Sequence, residues 1–159
     1  MSKFRTEHHE TRYPQLSQKI FREASIRYFR KDLGKIVTKD NKPVIEYLTY
    51  KEAITRAHYI GSGIVQQNLF NVPEGEKVKL LGLFSKNRVE WGLTDMACLL
   101  FGLTTIPLYD TLGDENITYV LNHCQLETVF VNEGSLKSLM KCADIVKLSK
   151  IVCFDPFTP

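Results

Sequence analysis

The sequence predicts an α/β protein with an open parallel sheet and helices on both faces, preceded by a β-hairpin and a basic amino-terminal arm. Three observations predict it. From residue 77 onward, apolar runs of strand length alternate with segments of helical periodicity. Before them, a polar turn separates two short β-branched runs. Residues 1–31 contain eight Lys or Arg and three Glu, a net charge of +5, whereas the other 128 residues carry −2.

Composition limits the classes of protein to which the chain can belong. With 159 residues, 43% of them hydrophobic, one globular domain is expected to bury roughly two thirds of its unfolded surface. A net charge of +3 is too small to indicate a nucleic-acid partner. No apolar run reaches the ~18–20 residues of a membrane span, and the first 20 residues are polar, unlike a signal peptide. We therefore expect a cytosolic or cytosol-facing protein.

The basic arm, residues 1–31, is the first predicted unit, and residues 32–159 are the second. Aromatic residues lie among the cations of the arm, and a short helix is expected over 15–30. Such a segment suits an anionic membrane surface or a partner subunit. A solvated tail is the simpler alternative.

A hairpin and a helix follow the arm. Residues 36–38 and 44–48 are β-rich and flank a turn of Asp, Asn and Pro. Thr49 and Glu52 then have the spacing of a capping box, in which each side chain satisfies a backbone N–H at the start of a helix. The apolar spacing behind them predicts a helix over 50–68.

From residue 77 onward the chain repeats a strand and a helix. The predicted strands are 77–84, 104–110, 127–132 and 150–155, and the predicted helices are 87–102, 114–124 and 134–144. Strands joined by helical crossovers pair in parallel, so one parallel sheet is expected. Pro107 has no backbone N–H, which predicts a bulge or an edge position for the second strand.

Two helix starts carry cap signals. Asn87 is the expected N-cap of the helix after the first strand, with Glu90 at its third position. Asp114 is the expected N-cap of the next helix, with Gly113 permitting the turn before it.

Candidate chemistry lies in the loops beyond the carboxyl ends of the strands, where ligands bind in open α/β sheets. These loops are residues 85–88, 110–116, 132–135 and 155–158. Ser85, Lys86 and Arg88 stand at a helix N-terminus, a combination that can hold a phosphate. Capping and solvated charge explain the same residues equally well.

Other polar residues give weaker signals. Asp110 and Asp114 resemble a carboxylate pair for acid–base chemistry, but an N-cap explains Asp114 more simply. Gly61-Ser62-Gly63 lies inside a helix and favours close helix packing over dinucleotide binding. No spacing among the histidines indicates shared metal ligation: His8, His9, His58 and His123.

The four cysteines are widely separated, and reduced thiols in apolar surroundings are expected. They are Cys98, Cys124, Cys142 and Cys153. Cys98 and Cys124 fall on the apolar faces of their helices, so both are predicted to be buried.

Residues 46–155 resemble the amino-terminal region of eukaryotic-type long-chain acyl-CoA synthetases, which are AMP-forming fatty-acid:CoA ligases of the adenylate-forming superfamily. Asn87–Trp91 (NRVEW) is similar to a motif found throughout that superfamily, and Pro107–Gly113 (PLYDTLG) is more specific to the long-chain branch. The resemblance implies the flavodoxin-like subdomain of the ligase fold. It also implies ATP, CoA and Mg²⁺ as cofactors, and a long-chain fatty acid as substrate, for the intact enzyme.

The family's catalytic parts have no counterpart in residues 1–159. They are a Ser/Thr/Gly-rich phosphate loop, an acidic ribose-binding residue, a hinge, and a lysine on a small carboxy-terminal domain. We therefore assign no catalytic, cofactor-binding or metal residue, and expect residues 32–159 to be a partial domain truncated before the phosphate loop. The turn at 109–113 is then scaffold. The alternative is a stand-alone flavodoxin-like binding or regulatory module derived from the ligase scaffold.

Overall fold

The computed structural model describes residues 34–142, 145 and 147–156, so the arm and its predicted helix lie outside the described residues. The hairpin strands come first, then helix α1, then alternating strands and helices. In order, the elements are β1 (Gly34–Lys39), β2 (Lys42–Tyr47), α1 (Tyr50–Gln66), β3 (Leu80–Phe84), α2 (Val89–Phe101), β4 (Thr104–Leu108), α3 (Asp114–His123), β5 (Thr128–Val131), α4 (Glu133–Leu139) and β6 (Lys150–Cys153). A 3-10 turn, Asp110–Leu112, joins β4 to α3.

The main sheet has four strands in the order β4-β3-β5-β6, and every neighbouring pair is parallel. This confirms the predicted parallel sheet. Because β3 lies inside the sheet, all five of its residues are buried. Pro107 lies on β4, opposite Leu83 of β3. In the described part of the chain, β4 is an edge strand of the sheet. The edge position predicted for Pro107 is therefore confirmed.

Helices cover both faces of the sheet, as the sequence predicts. Alternate side chains of β3 point to opposite faces, so Leu81 and Leu83 pack with Ile64 of α1 and Cys98 of α2. The opposite face packs against α3 and α4. Its buried residues include Leu80, Phe84, Val129, Val131, Ile117, Leu121 and Leu139.

Helices α1 and α2 pack against each other through small residues. Ala53 and Ala57 of α1 are fully buried against Ala97 of α2. A Cβ added at Gly61 would lie 2.2 Å from the Phe101 ring, so the predicted close packing is confirmed there. Nothing lies within 4 Å of a Cβ added at Gly63. The prediction of close helix packing is therefore wrong at Gly63.

The hairpin forms a separate two-stranded antiparallel sheet. Strand β1 extends beyond the predicted run at both ends, whereas β2 begins two residues earlier than predicted and ends one residue earlier. The strands meet at the two-residue turn Asp40-Asn41. Both turn residues have positive φ, 49° and 58°, as the tight turns that match the twist of antiparallel strands require. Asp and Asn tolerate this backbone conformation better than most residues.

The predicted capping box of α1 is confirmed. The Thr49 hydroxyl accepts a hydrogen bond from the Glu52 N–H at 3.3 Å, and the Glu52 carboxylate accepts one from the Thr49 N–H at 2.8 Å. Helix α1 ends at Gln66, two residues earlier than predicted. Helix α4 ends at Leu139, short of the predicted 144.

The other two predicted N-caps are wrong by one residue. Arg88, not Asn87, is the N-cap of α2, since its backbone is extended and Val89 is the first helical residue; its side chain makes no capping hydrogen bond. Gly113, not Asp114, is the N-cap of α3, with φ of 78° that glycine adopts without a steric penalty. Asp114 instead lies in the first turn of α3, where its charge is favourable to the helix dipole.

Candidate functional site

The topological switch point of the sheet lies between β3 and β5. The chain moves from β3 outward to β4, then crosses to the other side of β3 to form β5 and β6. In open α/β sheets, ligands bind at the carboxyl ends of the strands beside such a reversal. A cleft of about 420 Å³ lies there, and Lys35, Lys86, Arg88, Glu90 and Asn132 are among its lining residues.

Arg88 is the central side chain of this region. Its Nε donates to Glu90 Oε2 at 2.7 Å, and its Nη1 donates to Asp155 Oδ1 at 2.7 Å. The guanidinium also lies over the Phe154 ring, 5.5 Å from the ring centroid. The hydrogen bond to Glu90 is the largest of the interactions that raise the pKa of Arg88. Arg88 is thus held as a cation between two carboxylates.

Asp155 joins Arg88 to the start of α4. Its second oxygen, Oδ2, accepts a hydrogen bond from the Glu133 N–H at 2.8 Å. This bond, and then the hydrogen bond from Arg88, lower the pKa of Asp155. The hydrogen bond from Arg88 likewise lowers the pKa of Glu90. We call Arg88, Glu90, Asp155 and the Glu133 N–H the switch-point clamp.

The clamp brings together three of the four candidate loops, residues 85–88, 132–135 and 155–158. It also bears on whether residues 85–88 form a phosphate site. Arg88, which the sequence offers as a phosphate ligand, already forms ion pairs with both Glu90 and Asp155. The exposed Lys86 also borders the cleft, as does Lys35 from the hairpin. The arrangement therefore favours a structural ion-pair network over a phosphate site at residues 85–88.

The turn before α3 makes mainly local contacts. The Asn116 amide donates to the Leu112 carbonyl at 2.7 Å, and the Thr118 hydroxyl donates to the Asp114 carbonyl at 2.9 Å. Cys142 Sγ lies 3.7 Å from the same Asp114 oxygen. These contacts fix the backbone of the turn and the start of α3. That residues 109–113 serve only as scaffold stays a prediction.

Both histidines in the described part of the chain contact aromatic rings. His58 meets Phe101 edge to face at 5.9 Å between ring centroids, and His123 stacks on Tyr119 at 5.5 Å. Among residues 34–142, 145 and 147–156, no group of three or more His, Cys, Asp or Glu side chains has a metal-binding arrangement. His8 and His9 lie outside the described residues.

All four cysteines are free thiols. Cys98 is 1% exposed, which confirms its predicted burial. Cys124 is only half-buried, so the prediction of full burial is wrong there. It is the C-cap of α3, one residue after the last helical residue, and it packs at the border of the core. Cys142 and Cys153 are also half-buried.

The sequence places Asp155 in a candidate loop but does not indicate its role. The sequence does contain a signal for the ion pair. Arg88 follows β3 and Asp155 follows β6, and in a parallel sheet both lie at the carboxyl ends of the strands. Asn71 was missed entirely. This buried side chain donates to the Gln125 carbonyl at 2.9 Å and accepts from the Glu127 N–H at 3.3 Å, so it ties the segment after α1 to the segment before β5.

Comparison with protein families gives one match over most of the chain. A family described as "AMP-binding enzyme" matches residues 30–158. In the part of the chain that the structure covers, no helix has the length and apolarity to cross a bilayer.

Curated relatives give a consistent result. Long-chain-fatty-acid–CoA ligase 1 of Homo sapiens is 35% identical over 95 residues, which are 60% of this chain and 13% of that protein. Long-chain-fatty-acid–CoA ligase 5 of Rattus norvegicus is 31% identical over 124 residues, 75% of this chain and 17% of that protein. Long chain acyl-CoA synthetase 6, peroxisomal, of Arabidopsis thaliana is 35% identical over 97 residues, 61% of this chain and 13% of that protein. The chain spans less than a fifth of the length of these relatives.

Solved structures show the same fold. The A-PCP didomain of a carboxylic acid reductase from Segniliparus rugosus, in complex with AMP, has a TM-score of 0.70 at 16% identity, with 93% of this chain and 22% of that chain covered. A luciferase-like enzyme from Zophobas morio has a TM-score of 0.67 at 19% identity, with 98% of this chain and 34% of that chain covered.

Proposed function

The chain belongs to the AMP-binding enzyme family, and we propose that it forms an amino-terminal wall of a long-chain fatty acid–CoA ligase. The observation that carries the proposal is its 31–35% identity with long-chain-fatty-acid–CoA ligases over as many as 124 residues. The members of this family act on many different acids. Identity at this level favours the branch that acts on long-chain fatty acids.

The proposed reaction has two steps. A fatty-acid carboxylate attacks the α-phosphate of ATP, which forms an acyl-adenylate and releases pyrophosphate. The CoA thiol then attacks the acyl carbon, which forms acyl-CoA and releases AMP. Mg²⁺ would neutralise phosphate charge in the first step.

The proposed role of this chain is to hold the sheet and its switch point in place. Arg88 and Asp155 connect the loops after β3 and β6, and the Glu133 N–H brings in the loop after β5. A rigid scaffold of this kind keeps reacting groups supplied from elsewhere in productive geometry. We assign no catalytic residue to the chain itself, and expect it to bind ATP at most weakly.

A cytosol-facing location is proposed as well, at the endoplasmic reticulum or the peroxisome. One of the similar plant proteins is named peroxisomal. The charge of +5 in residues 1–31 suits peripheral contact with anionic lipid.

The test is a chimera. The 95 residues of this chain that align with human long-chain-fatty-acid–CoA ligase 1 replace their counterpart in that enzyme, and pyrophosphate release is measured with palmitate, ATP and Mg²⁺. We expect the chimera to turn over within about tenfold of the parent enzyme, because the grafted wall keeps the same fold. The 159-residue chain alone is expected to show only background release.

Two outcomes would contradict the proposal. Turnover by the 159-residue chain alone would require an active site among its own loops. A chimera that folds to the parent's thermal stability yet has lost all turnover would favour the stand-alone binding or regulatory module.

A further inference from the structure

We propose that Lys35 of the β1–β2 hairpin is a positioning residue of the switch-point clamp, and that its charge holds the hairpin against the start of α2. Two clefts border this junction, one of about 400 Å³ and one of about 420 Å³. Three described residues line both clefts, and they are Lys35, Val89 and Glu90. The base of the hairpin therefore lies against the first turn of α2.

Without Lys35, the clamp has more negative than positive charge. Its two carboxylates, Glu90 and Asp155, share one guanidinium, that of Arg88. Lys35 supplies a second cation, so the charges of the two signs then balance. In the described part of the chain no ion pair joins Lys35 to either carboxylate, so its attraction acts across the cleft.

The protonation of both carboxyls responds to this charge. The hydrogen bond from Arg88 is the largest of the interactions that lower the pKa of Glu90, and the hydrogen bond from the Glu133 N–H is the largest for Asp155. The charge of Lys35 lowers the pKa of both groups further. Lys35 thus acts on the two acids of the clamp together.

Two other charged side chains line the cleft of about 400 Å³ beside Glu90, and each has an interaction of its own. Glu46 of β2 is paired with Lys39 at 2.6 Å. Arg56 of α1 interacts through its charge with Glu52 of the same helix. Neither replaces Lys35 as the cation that acts on the clamp from the hairpin.

Lys86 provides a comparison within the same cleft. It is exposed and lines the cleft of about 420 Å³, as Lys35 does. Lys35, and not Lys86, is the lysine whose charge acts on Glu90 and Asp155. A general excess of positive charge near the cleft therefore does not account for the effect.

The hairpin depends on such an attraction because it is weakly joined to the rest of the fold. It is a sheet of its own, and within the described residues its backbone forms no hydrogen bond with the four-stranded sheet. All of its strand residues except Val37 are exposed. A two-stranded hairpin is marginally stable in water, so a modest attraction changes how often it lies against α2.

The position of the hairpin sets the width of the cleft at the switch point. Residues 34–36 line this cleft from the hairpin, and residues 86–90 and Asn132 line it from the loops after β3 and β5. The inference deepens the scaffold role proposed for the chain and rests on that part of the proposed function.

The experiment measures the carboxyl pKa values of Glu90 and Asp155 by NMR in the full 159-residue chain at low salt. Lys35→Met should raise both values, because the opposite charge that favours the ionised carboxylates is removed. Lys35→Arg should restore the values of the parent. Lys86→Met is the matched control, since it removes a lysine from the same cleft and should leave both values unchanged. Salt at about 1 M should abolish the difference between Lys35→Met and the parent.

Hydrogen exchange measures the consequence for the hairpin. Amides of residues 34–47 should exchange about two- to fivefold faster in Lys35→Met than in the parent, the range expected for a weak attraction between partly exposed charges. Amides of α3 should exchange at the parent's rate in both proteins.

Three outcomes would overturn the proposal. Lys35→Met could leave the two carboxyl pKa values unchanged, or Lys86→Met could raise them equally. In the third outcome, the pKa values rise in Lys35→Met while exchange in residues 34–47 keeps the parent's rate, so that Lys35 acts on the carboxylates without holding the hairpin. The measurements use neither ATP nor fatty acid, so none of these outcomes bears on the ligase assignment.

Discussion

Arg88 Nη1 lies 2.7 Å from Asp155 Oδ1, and this contact joins residues 67 positions apart in the chain. Arg88 precedes α2 and Asp155 follows β6, so the ion pair spans the switch point of the sheet. Both side chains are partly shielded, with 24% and 29% of their surfaces exposed. The Glu133 N–H on the other Asp155 oxygen extends the connection to α4.

The first prediction concerns the energy of this pair. Arg88→Ala, Asp155→Ala and the double variant form a cycle in which the coupling free energy should be about 0.5–1 kcal/mol, the range for partly exposed ion pairs. Urea unfolding of the four proteins measures it. Lys137 and Glu133 provide a control cycle, since their pair is far more exposed, at 72% and 68%, and should couple more weakly. Equal coupling in the two cycles would count against a special role for the clamp.

The second prediction is a loss of stability in acid. The pKa values of Asp155 and Glu90 are lowered from their ordinary values of 3.8 and 4.5. A carboxylate with a lowered folded-state pKa contributes stability that is complete above the unfolded value and lost as pH falls through the folded value. The free energy of unfolding should therefore decrease below about pH 4.5.

Asp155→Asn tests the source of that decrease. The variant should be less stable at pH 7, and its stability should change less between pH 4.5 and pH 2.5. Some pH dependence will persist, because Thr49 lowers the pKa of Glu52 in the capping box. Parallel curves for the variant and the parent across this range would show that Asp155 contributes nothing to the effect.

The sheet could be predicted from the sequence because its signals are local. The run that contains β3 is apolar at every position from Leu80 to Phe84, and α2 follows with helical spacing. Repetition of this unit, together with the handedness of crossovers, leaves few arrangements other than a parallel sheet. The edge position of Pro107 follows from its missing N–H.

The details that could not be predicted depend on distant partners. Asn87 is the better N-cap by residue type, but Arg88 occupies that position, and its side chain binds Asp155, 67 positions away. Similarly, spacing places Cys124 on the apolar face of α3, although it is the C-cap and only half-buried. Local periodicity contains no information on either point.

The third prediction concerns thiol reactivity. Burial, and secondarily the charge of Asp95, raise the pKa of the Cys98 thiol to about 12, so it carries almost no thiolate at pH 8. In variants that retain one cysteine, with serine at the other three positions, Cys98 should react with a thiol reagent at least about a hundredfold more slowly than Cys124. Adding urea should remove the difference, because unfolding exposes both thiols equally. Comparable native rates would mean that α2 opens readily from the sheet.

The last prediction uses two glycines of α1 as a matched pair. Gly61→Ala would place a Cβ 2.2 Å from the Phe101 ring, so either the ring or the helix must shift. Overpacking of this kind costs about 1–3 kcal/mol. At Gly63 the same substitution meets nothing within 4 Å and replaces a flexible residue inside a helix, which should stabilise the protein by about 0.5–1 kcal/mol. Thermal or urea unfolding of the two variants should therefore give changes of opposite sign. Equal and small effects would mean that α1 and α2 are packed loosely enough to accept a methyl group, and that the contact between Gly61 and Phe101 does not fix their separation.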